Sequence, residues 1–346
     1  MEKSSILFIT NAYNTFVLRD VGILEKKWRV RRFTYTGKTD LASNLRAQAT
    51  LLFWLLRHMN GAEALYIWFA DYHAFLPVLF ARIFRKKVFL VEGGYDTANI
   101  PEIAYGSHTR RLRSACSRYA MRHATLNLPV AETLTPEITA LAPRARVRHL
   151  YTGYDPGSFT PAGKKEKLVL TVAGSNTLQR IRLKGVDIFL RAARRLPHYR
   201  FLVAGIDEAG QKLLDNVPAN VEITGRVSQE TLITFYRKTS VYAQFSMREG
   251  LPNAVCEAML CECAPVGFDN GGIPLAIGDA GIVLKDRSME SIAEALKKAM
   301  ESQKTLGPRA RARIIREYPL ERREKALLKI VAETPLRHDV RQNGKK

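Results

Sequence analysis

Two carboxylates eight residues apart, Glu249 and Glu257, are the side chains that could do chemistry together in this chain. Gly250 and Pro252 lie between them, and Pro252 suits a first helical turn, where its missing N–H leaves no partner unsatisfied. We expect a helix over residues 252–262, whose N-terminus would present backbone N–H groups to an anion beside the preceding turn. The alternative is an ordinary amphipathic helix that carries two solvated glutamates.

Helical spacing divides this segment into two faces. Asn253 and Cys261 fall on the same side as Glu257, which favours a polar face towards a ligand. The apolar positions, which we expect to pack on a sheet, are Leu251, Val255, Ala258 and Met259.

The residues around the two glutamates resemble the nucleotide-sugar site of a known family. The motif runs from Glu249 to Met259 and continues with Pro265-Val266 and Gly271-Gly272-Ile273-Pro274, and Lys184-Gly185-Val186-Asp187 precedes it. It is similar to that of retaining glycosyltransferases with the GT-B fold, specifically glycosyltransferase family 4 (glycosyl transferases group 1). The resemblance covers residues 168–286 and is much weaker over residues 1–150.

This resemblance implies a role for each of four residues. Glu257 would bond the ribose hydroxyls of the nucleotide, and Glu249 would contact the donor sugar or stabilise its developing positive charge. Lys184 is similar to the family lysine that meets the diphosphate, and Gly185 would let the backbone approach closely.

Other donor-binding positions are implied with alternatives. The family arginine that accompanies the lysine is replaced here by Gln179, so either Arg180 or Arg182 would have to serve. Arg226-Val227 falls where the family places a base-contacting loop, although such segments also occur as plain strand-to-helix turns. The remaining implied positions are Gly250, Leu251, Pro252 and Asn253.

Sugar transfer builds negative charge on the departing phosphate, and something positive must meet that charge. Many glycosyltransferases use a metal ion held by an Asp-x-Asp pair, but this sequence contains no such pair. We therefore expect metal-independent chemistry, with Lys184 as a catalytic cation and with no cofactor beyond the nucleotide diphosphate sugar. A hydrolase would also use two carboxylates, but it leaves the lysine and the glycine-rich turn unexplained.

The first half of the chain is expected to bind the acceptor, and it departs from the family pattern. Where many members carry a histidine after the fourth strand, this chain reads Val91-Glu92-Gly93-Gly94-Tyr95-Asp96. Asp96 is a candidate catalytic residue that orients the acceptor hydroxyl, and an ordinary turn aspartate is the alternative. Asp71 and His73 follow the preceding strand and are weaker candidates.

The charge balance indicates an anionic partner. The chain has 54 Lys and Arg against 33 Asp and Glu, a formal net charge of +21. No zinc-finger spacing, RNP-like strand or basic zipper is present, so we expect no nucleic acid and favour an anionic membrane surface. A predicted basic helix over residues 109–123 would either lie on anionic lipid or form an ordinary solvated face; its basic residues are Arg110, Arg111, Arg113, Arg118, Arg122 and His123.

Short apolar runs alternate with amphipathic ones along the whole chain, which predicts α/β units with parallel sheets. By the resemblance, two Rossmann-like domains face each other across a cleft. We expect an acceptor-binding domain at 1–155, a nucleotide-sugar domain at 156–318, a helix at 319–336 crossing back, and a disordered basic tail at 337–346. Strands are predicted at 5–10, 29–35, 65–69, 87–92, 124–128, 146–150, 168–173, 200–204, 221–224, 241–245, 264–268 and 281–284.

The N-terminus leads straight into a strand-like run, and no apolar run reaches 18 residues. We expect a cytoplasmic protein with reduced cysteines, with a peripheral position on the inner face of the membrane as an open option. The expected activity is transfer of a sugar from a UDP- or GDP-sugar to a hydroxyl of a glycan or lipid-linked acceptor, in cell-envelope polysaccharide or glycolipid synthesis. The alternatives are a basic nucleic-acid-binding protein, or a nucleotide-sugar epimerase or phosphorylase on a similar fold.

Overall fold

The structure is a computed structural model that describes residues 4–37, 40–175 and 177–336. It divides into two compact units. The first comprises the described residues up to 152 together with 321–336, and the second comprises 153–320 without residue 176. The basic tail expected at 337–346 lies outside the described residues.

The first unit is built on a five-stranded parallel sheet in the order β2-β1-β3-β4-β5. Helices follow most of its strands, and two short 3-10 turns, Pro101–Ile103 and Ser107–Thr109, separate β4 from α4. Its elements are β1 (Ser5–Thr10), α1 (Thr15–Glu25), β2 (Arg29–Thr34), α2 (Leu41–His58), β3 (Ala62–Trp68), α3 (Tyr72–Ile83), β4 (Lys87–Val91), α4 (Arg111–His123), β5 (Leu126–Asn127) and α5 (Leu134–Leu141).

The second unit is built on a six-stranded parallel sheet in the order β11-β10-β9-β6-β7-β8. Its elements are β6 (Glu166–Ser175), α6 (Leu178–Leu183), α7 (Val186–Arg195), β7 (Arg200–Ile206), α8 (Glu208–Gln211), β8 (Val221–Thr224), α9 (Gln229–Lys238), β9 (Thr239–Gln244), α10 (Asn253–Leu260), β10 (Ala264–Phe268), α11 (Ile273–Ile277), β11 (Ile282–Leu284), α12 (Met289–Glu301) and α13 (Gln303–Glu317). The α/β class with two parallel sheets is confirmed.

Burial explains why short apolar runs were sufficient to predict the strands. All residues of β1, β9 and β10 are buried, as expected for central strands of parallel sheets that are covered on both faces. In the second unit Phe189 from α7 and Phe201 from β7 meet edge to face in the core.

One predicted strand is wrong. Residues 146–150 form a single isolated bridge, between Asn127 and Val147, and no strand. The neighbouring β5 is only two residues long, so it offers little backbone to pair with. Only two residues of the segment, Val147 and Leu150, are apolar, which leaves little to bury at the edge of the sheet.

Strand order determines where a ligand can be held. In the second unit the chain proceeds from β6 towards β8 on one side and from β9 towards β11 on the other, so the order reverses between β6 and β9. In the first unit the reversal lies between β1 and β3. Ligands of open parallel sheets bind beyond the carboxyl ends of strands at such reversals. The loops after β6, β9, β3 and β4 are therefore the ones that position candidate residues.

The last helix, α14 (Leu320–Glu333), packs within the first unit from residue 321 onward. Arg323 on α14 is buried and donates two hydrogen bonds, each 2.7 Å, to the carboxylate of the buried Asp20. Tyr66 and Trp68 of β3 donate to the same carboxylate at 2.7 Å and 2.9 Å. This ion pair is fully hydrogen-bonded, which is the condition under which a buried pair can be tolerated.

Among the described residues, no helix has both the length and the apolar character that a bilayer crossing requires. Three of the four cysteines, Cys256, Cys261 and Cys263, are buried, and all four are free thiols. Burial raises the pKa of Cys261 to about 12 and that of Cys263 to about 11, so both are neutral thiols at ordinary pH.

Candidate functional site

Glu249 lies in the loop between β9 and α10, and a close backbone approach holds this loop in place. The N–H of Gly272 donates to the carbonyl oxygen of Glu249 at 3.2 Å. A Cβ atom at Gly272 would collide with the carbonyl oxygen of Gly250, and one at Gly271, where φ is +53°, would collide with that of Glu249. The two consecutive glycines are therefore required for this packing.

Lys184 lies between two helices and not at the start of one. It caps the C-terminus of α6, and Gly185 follows in a left-handed conformation, φ +66°, before α7 begins. A Cβ atom at Gly185 would collide with the backbone of Phe245, and the N–H of Met247 donates to Leu183 at 2.8 Å. The α6–α7 turn is thus fastened directly to the loop that carries Glu249.

The result is an ion pair between Lys184 and Glu249. The Nζ atom of Lys184 lies 2.7 Å from Oε1 of Glu249, and the side chains are 28% and 14% exposed. Both residues were predicted from the sequence, and the structure brings them together at the reversal between β6 and β9. The pair is partly open to solvent, so a ligand phosphate can reach the lysine.

Three polar residues that the sequence analysis missed complete the surroundings of Glu249. Ser246 and Gln244 donate to its Oε1 atom at 2.8 Å and 3.1 Å, and the hydroxyl of Tyr242 donates to Oε1 of Gln244 at 2.9 Å. Burial raises the pKa of Tyr242 well above its usual value, so its hydroxyl keeps the proton that it donates. Residues 242, 244 and 246 alternate with apolar ones, a period-two pattern that was the available signal.

The helix that carries Glu257 is shorter than predicted. Pro252 is the capping residue before the helix, and Asn253 is its first residue. The helix ends at Leu260 because Glu262 has a positive φ of +63°, which is incompatible with a continuing helix.

Glu257 is buried, and the hydroxyl of Tyr236 donates to its Oε2 atom at 3.4 Å. The amide oxygen of Asn253 accepts a hydrogen bond of 2.8 Å from Tyr154. Leu251, Pro252 and Gly250 are buried beside them. Neither glutamate of the motif is a solvated surface residue, which contradicts the plain amphipathic-helix alternative.

The remaining donor-binding candidates lie at the surface of the second unit. Arg180 and Arg182 lie on α6 with exposed side chains. Arg226 is exposed in the turn between β8 and α9, and Val227 next to it is half-buried. This turn ends at Ser228, which caps α9. The structure joins Lys184 and Glu249 directly, and the roles of all these candidates stay predictions.

Asp96, in the first unit, holds a turn. Its carboxylate accepts hydrogen bonds from the backbone N–H groups of Ala70, Gly93 and Gly94, and the side chain is fully buried. Burial raises its pKa to about 6. The geometry favours the alternative interpretation, a turn aspartate that ties the loop after β4 to the loop after β3.

The weaker candidates Asp71 and His73 have different surroundings. His73 is buried, its Nε2 atom lies 2.8 Å from the carbonyl oxygen of Trp68, and burial lowers its pKa. Asp71 caps α3 by accepting a 2.7 Å hydrogen bond from the N–H of Tyr72. Its Oδ1 atom also lies 3.1 Å from Nε of Arg113, close enough for an ion pair although the N–H does not point at it.

The structure changes two features of the predicted basic helix, its start and the position of Arg113. The helix begins at Arg111, two residues later than predicted, and Arg113 turns inward, with its side chain only 15% exposed. It donates to the hydroxyl of Tyr95 at 2.6 Å and stacks over the ring of Tyr72, 4.9 Å from the ring centre. Arg113 therefore belongs to the edge of the sheet and not to the solvent-facing arginines of α4.

Comparisons with known proteins indicate a family for part of this chain. Residues 167–302, which contain Lys184, Glu249 and Glu257, match the family described as Glycosyl transferases group 1. The D-inositol 3-phosphate glycosyltransferase of Mycolicibacterium smegmatis is 29% identical over 192 aligned positions, and the alignment covers 49% of this chain and 44% of that protein. The chain spans less than half the length of the curated relatives it matches.

Two solved structures match nearly the whole chain. Sucrose-phosphate synthase from Thermosynechococcus elongatus covers 96% of this chain and 99% of its own, with a TM-score of 0.81 and 13% identity. Anabaena Alr3699/HepE in complex with UDP-glucose covers 95% and 99%, with a TM-score of 0.76 and 15% identity. At these identities the likeness shows the fold, and the GT-B fold expected from the sequence is confirmed.

Proposed function

We propose that this chain is a retaining glycosyltransferase of family 4 that transfers a sugar from a UDP- or GDP-sugar to an acceptor hydroxyl. The observation that carries this proposal is the Lys184–Glu249 pair, held at the strand-order reversal of the second unit. It lies within the segment that matches the glycosyl transferases group 1 family. The solved neighbour with UDP-glucose supports a nucleotide sugar as donor.

In the proposed reaction Lys184 leaves Glu249 and meets the diphosphate of the donor. The bond between the anomeric carbon and the β-phosphate oxygen breaks, and the N-terminus of α10 adds partial positive charge next to the departing phosphate. The acceptor oxygen forms the new bond on the same face of the sugar, and its proton passes to the leaving phosphate.

Glu249 has a second role in this proposal. Its carboxylate keeps the hydrogen bonds from Ser246 and Gln244 when the lysine moves, so it stays oriented towards the sugar. There it bonds the sugar hydroxyls or stabilises the positive charge that develops on the ring. Glu257 holds the ribose hydroxyls, and Arg180 or Arg182 shares the phosphates.

The proposed chemistry uses no metal ion and no cofactor other than the donor substrate. Lys184 and the helix N-terminus supply the positive charge that a metal would otherwise provide. We expect turnover to continue in EDTA. Loss of turnover in EDTA that magnesium or manganese restores would show that this part of the proposal is wrong.

The proposed acceptor is a glycan or lipid-linked hydroxyl in cell-envelope polysaccharide or glycolipid synthesis, reached on the inner face of the membrane. The formal net charge of +21 supports a reaction that takes place at an anionic membrane surface. The name of the mycobacterial relative, which specifies a phosphorylated inositol, supports an acceptor that carries negative charge.

One screen tests the proposed function. UDP and GDP are compared as thermal stabilisers of the full chain, and UDP- and GDP-sugars are then compared as substrates for slow donor hydrolysis. We expect one nucleotide to raise Tm in a concentration-dependent way and its sugar conjugate to be hydrolysed. Absence of both effects would contradict the proposal. Sugar isomerisation without an acceptor, or a requirement for inorganic phosphate, would indicate an epimerase or a phosphorylase.

A further inference from the structure

An open cavity of about 770 Å³ lies on the first unit, between α4 and the turn that follows α5. It is remote in sequence from the Lys184–Glu249 pair, and none of the residues discussed as donor-binding lines it. Part of its lining is apolar and comes from Ala115 and Tyr119 of α4 and from Leu141, Ala142 and Pro143. Its volume lies within the range of small-molecule sites.

The rest of the lining is cationic. Arg111, Arg118 and Arg122 recur at seven- and eleven-residue spacing, so they share one face of α4, and Arg144 contributes a fourth guanidinium from the turn. His108 and His123 also line the cavity, and none of the described residues that line it is acidic. Four arginines around one concavity give a strongly positive local potential.

Specific contacts hold the walls of this cavity in place. Nε of Arg118 donates to the carbonyl oxygen of Leu141 at 3.1 Å, which fastens α4 to the turn after α5. The hydroxyl of Tyr119 accepts a 3.0 Å hydrogen bond from Arg82, and its ring lies against those of Phe75 and His123, with centres 5.0 Å and 4.5 Å away. The concavity is therefore shaped before any ligand arrives.

We propose that this cavity binds the phosphate-bearing headgroup of an anionic membrane lipid, one lipid to each protein chain. Guanidinium groups bind phosphate oxygens in pairs, and the apolar part of the lining suits the glycerol and first acyl carbons of the lipid. Leu112, which follows Arg111 on α4, is 66% exposed, and so is Ile83 at the end of α3, beside Arg82. Exposed leucine and isoleucine near a cationic cavity fit a bilayer surface better than dissolved phosphate.

This inference rests on the membrane position proposed above, and it names the cavity through which the protein would bind the membrane. A diffuse attraction between a +21 protein and an anionic bilayer depends on total charge alone. A headgroup cavity instead depends on the four arginines that line it, saturates at one site, and is competed by a soluble headgroup at constant ionic strength.

The test compares two charge-matched double variants of the full chain in sedimentation with vesicles of phosphatidylglycerol in phosphatidylcholine. Arg111→Gln with Arg122→Gln removes two cavity arginines, whereas Arg110→Gln with Arg148→Gln removes two exposed arginines that do not line the cavity. We expect about thirtyfold weaker binding for the cavity pair, from roughly 1 kcal/mol per cation, and a loss of at most about threefold for the control pair. Thermal melts confirm that both variants are folded.

Three further measurements distinguish a lipid headgroup from other phosphate-bearing ligands. Glycerol phosphate at constant ionic strength should displace the wild-type protein from the vesicles, and pure phosphatidylcholine vesicles should not bind it. Equal losses for both double variants would overturn the cavity in favour of diffuse attraction. Binding of inorganic phosphate or of a short oligonucleotide without binding of the vesicles would overturn the lipid assignment.

Donor hydrolysis in solution separates this proposal from the proposed function. The cavity arginines lie outside the donor site, so Arg111→Gln with Arg122→Gln should hydrolyse the nucleotide sugar like the wild type. If wild type and variant both lack hydrolysis but differ in vesicle binding, the proposed function fails and the lipid site stands.

Discussion

Each unit of this protein places an ion pair at the carboxyl edge of its parallel sheet, and the two pairs are built differently. In the second unit Lys184 meets Glu249 at 2.7 Å, and two neutral donors reach the same carboxylate oxygen. In the first unit Arg113 lies 3.1 Å from Asp71, which also caps its own helix, and the guanidinium is stacked over a tyrosine.

This difference separates a pair that can exchange partners from one that is fixed. When Lys184 moves to a phosphate, Glu249 keeps two hydrogen bonds and does not become an unsatisfied buried charge. When Arg113 moves, it loses an ion pair, a hydrogen bond to Tyr95 and a ring contact together. We therefore expect the Lys184–Glu249 pair to act in catalysis and the Arg113–Asp71 pair to act in stability.

The largest effect is expected for Lys184→Ala. Loss of a preorganised positive group at the departing phosphate costs about 2–4 kcal/mol of transition-state stabilisation, seen as a fall in kcat/KM. Lys297→Ala, at an exposed position of α12, is the matched control and should leave kcat/KM unchanged. Steady-state kinetics with the identified donor measure both. A Lys184→Ala enzyme with wild-type kcat/KM would remove the lysine from the reaction.

The two glutamates should separate in kinetics. Glu249→Ala should lower kcat, because contacts with the reacting sugar strengthen in the transition state. Glu257→Ala should raise the donor KM with little change in kcat, because ribose contacts are the same in ground and transition states. Donor kcat and KM for each variant test this, and unchanged kinetics in both would exclude the assignment.

Arg113→Ala should lower stability and leave donor hydrolysis unaffected. Breaking a mostly buried ion pair and its ring contact should reduce the free energy of unfolding by about 2 kcal/mol. Arg110→Ala, at the exposed residue just before the same helix, should change it by less than about 0.5 kcal/mol. Urea unfolding of the three proteins gives the numbers. Equal stability of wild type and Arg113→Ala would mean that the pair is not fixed.

A pH-dependent effect on stability is expected from a buried carboxyl beside Asp96. Both carboxylate oxygens of Glu92 are buried without a hydrogen-bond partner among the described residues, and burial, together with the charge of Asp96, raises its pKa well above the usual value. Glu92 loses its proton at lower pH in the unfolded chain than in the folded protein. The free energy of unfolding is therefore greatest at low pH and falls as pH rises above about 4.5. Asp96, with a pKa of about 6 in the folded protein, lowers the free energy of unfolding further as pH rises from about 4 to about 6.

Glu92→Gln removes the larger part of this pH dependence without changing shape. We expect it to match the wild type near pH 4 and to be more stable near pH 7. Glu102→Gln, at an exposed position, serves as the control. Thermal melts of the three proteins across this range measure the difference, and a constant difference at every pH would show that folding does not shift the pKa of Glu92.

The fold and half of the candidate site could be predicted because their signals are local. Buried strands of parallel sheets are short apolar runs, and Glu249, Gly272 and Glu257 lie within one short stretch whose glycines are needed for close backbone contacts. The prediction of a strand at 146–150 was wrong because the residues of this segment do not show whether the neighbouring strand, β5, is long enough to pair with it.

The rest depended on packing between distant elements. Gln244 and Ser246 are ordinary polar residues at the end of a strand, and only the position of Glu249 gives them a role. Arg113 lies on a basic helix with four other basic residues, and its sequence neighbours do not distinguish it from them. It turns inward because α3 and α4 pack side by side and place Asp71 within reach.

The buried pair of Asp20 and Arg323 has a consequence for how the protein is made. The two residues are 303 positions apart, so the first unit cannot complete its interior while the ribosome is still making the second. Until α14 emerges, Asp20 has Tyr66 and Trp68 as donors but no countercharge. The nascent first unit therefore waits in an unfinished state through the synthesis of an entire second sheet, and it is then exposed to chaperones and proteases.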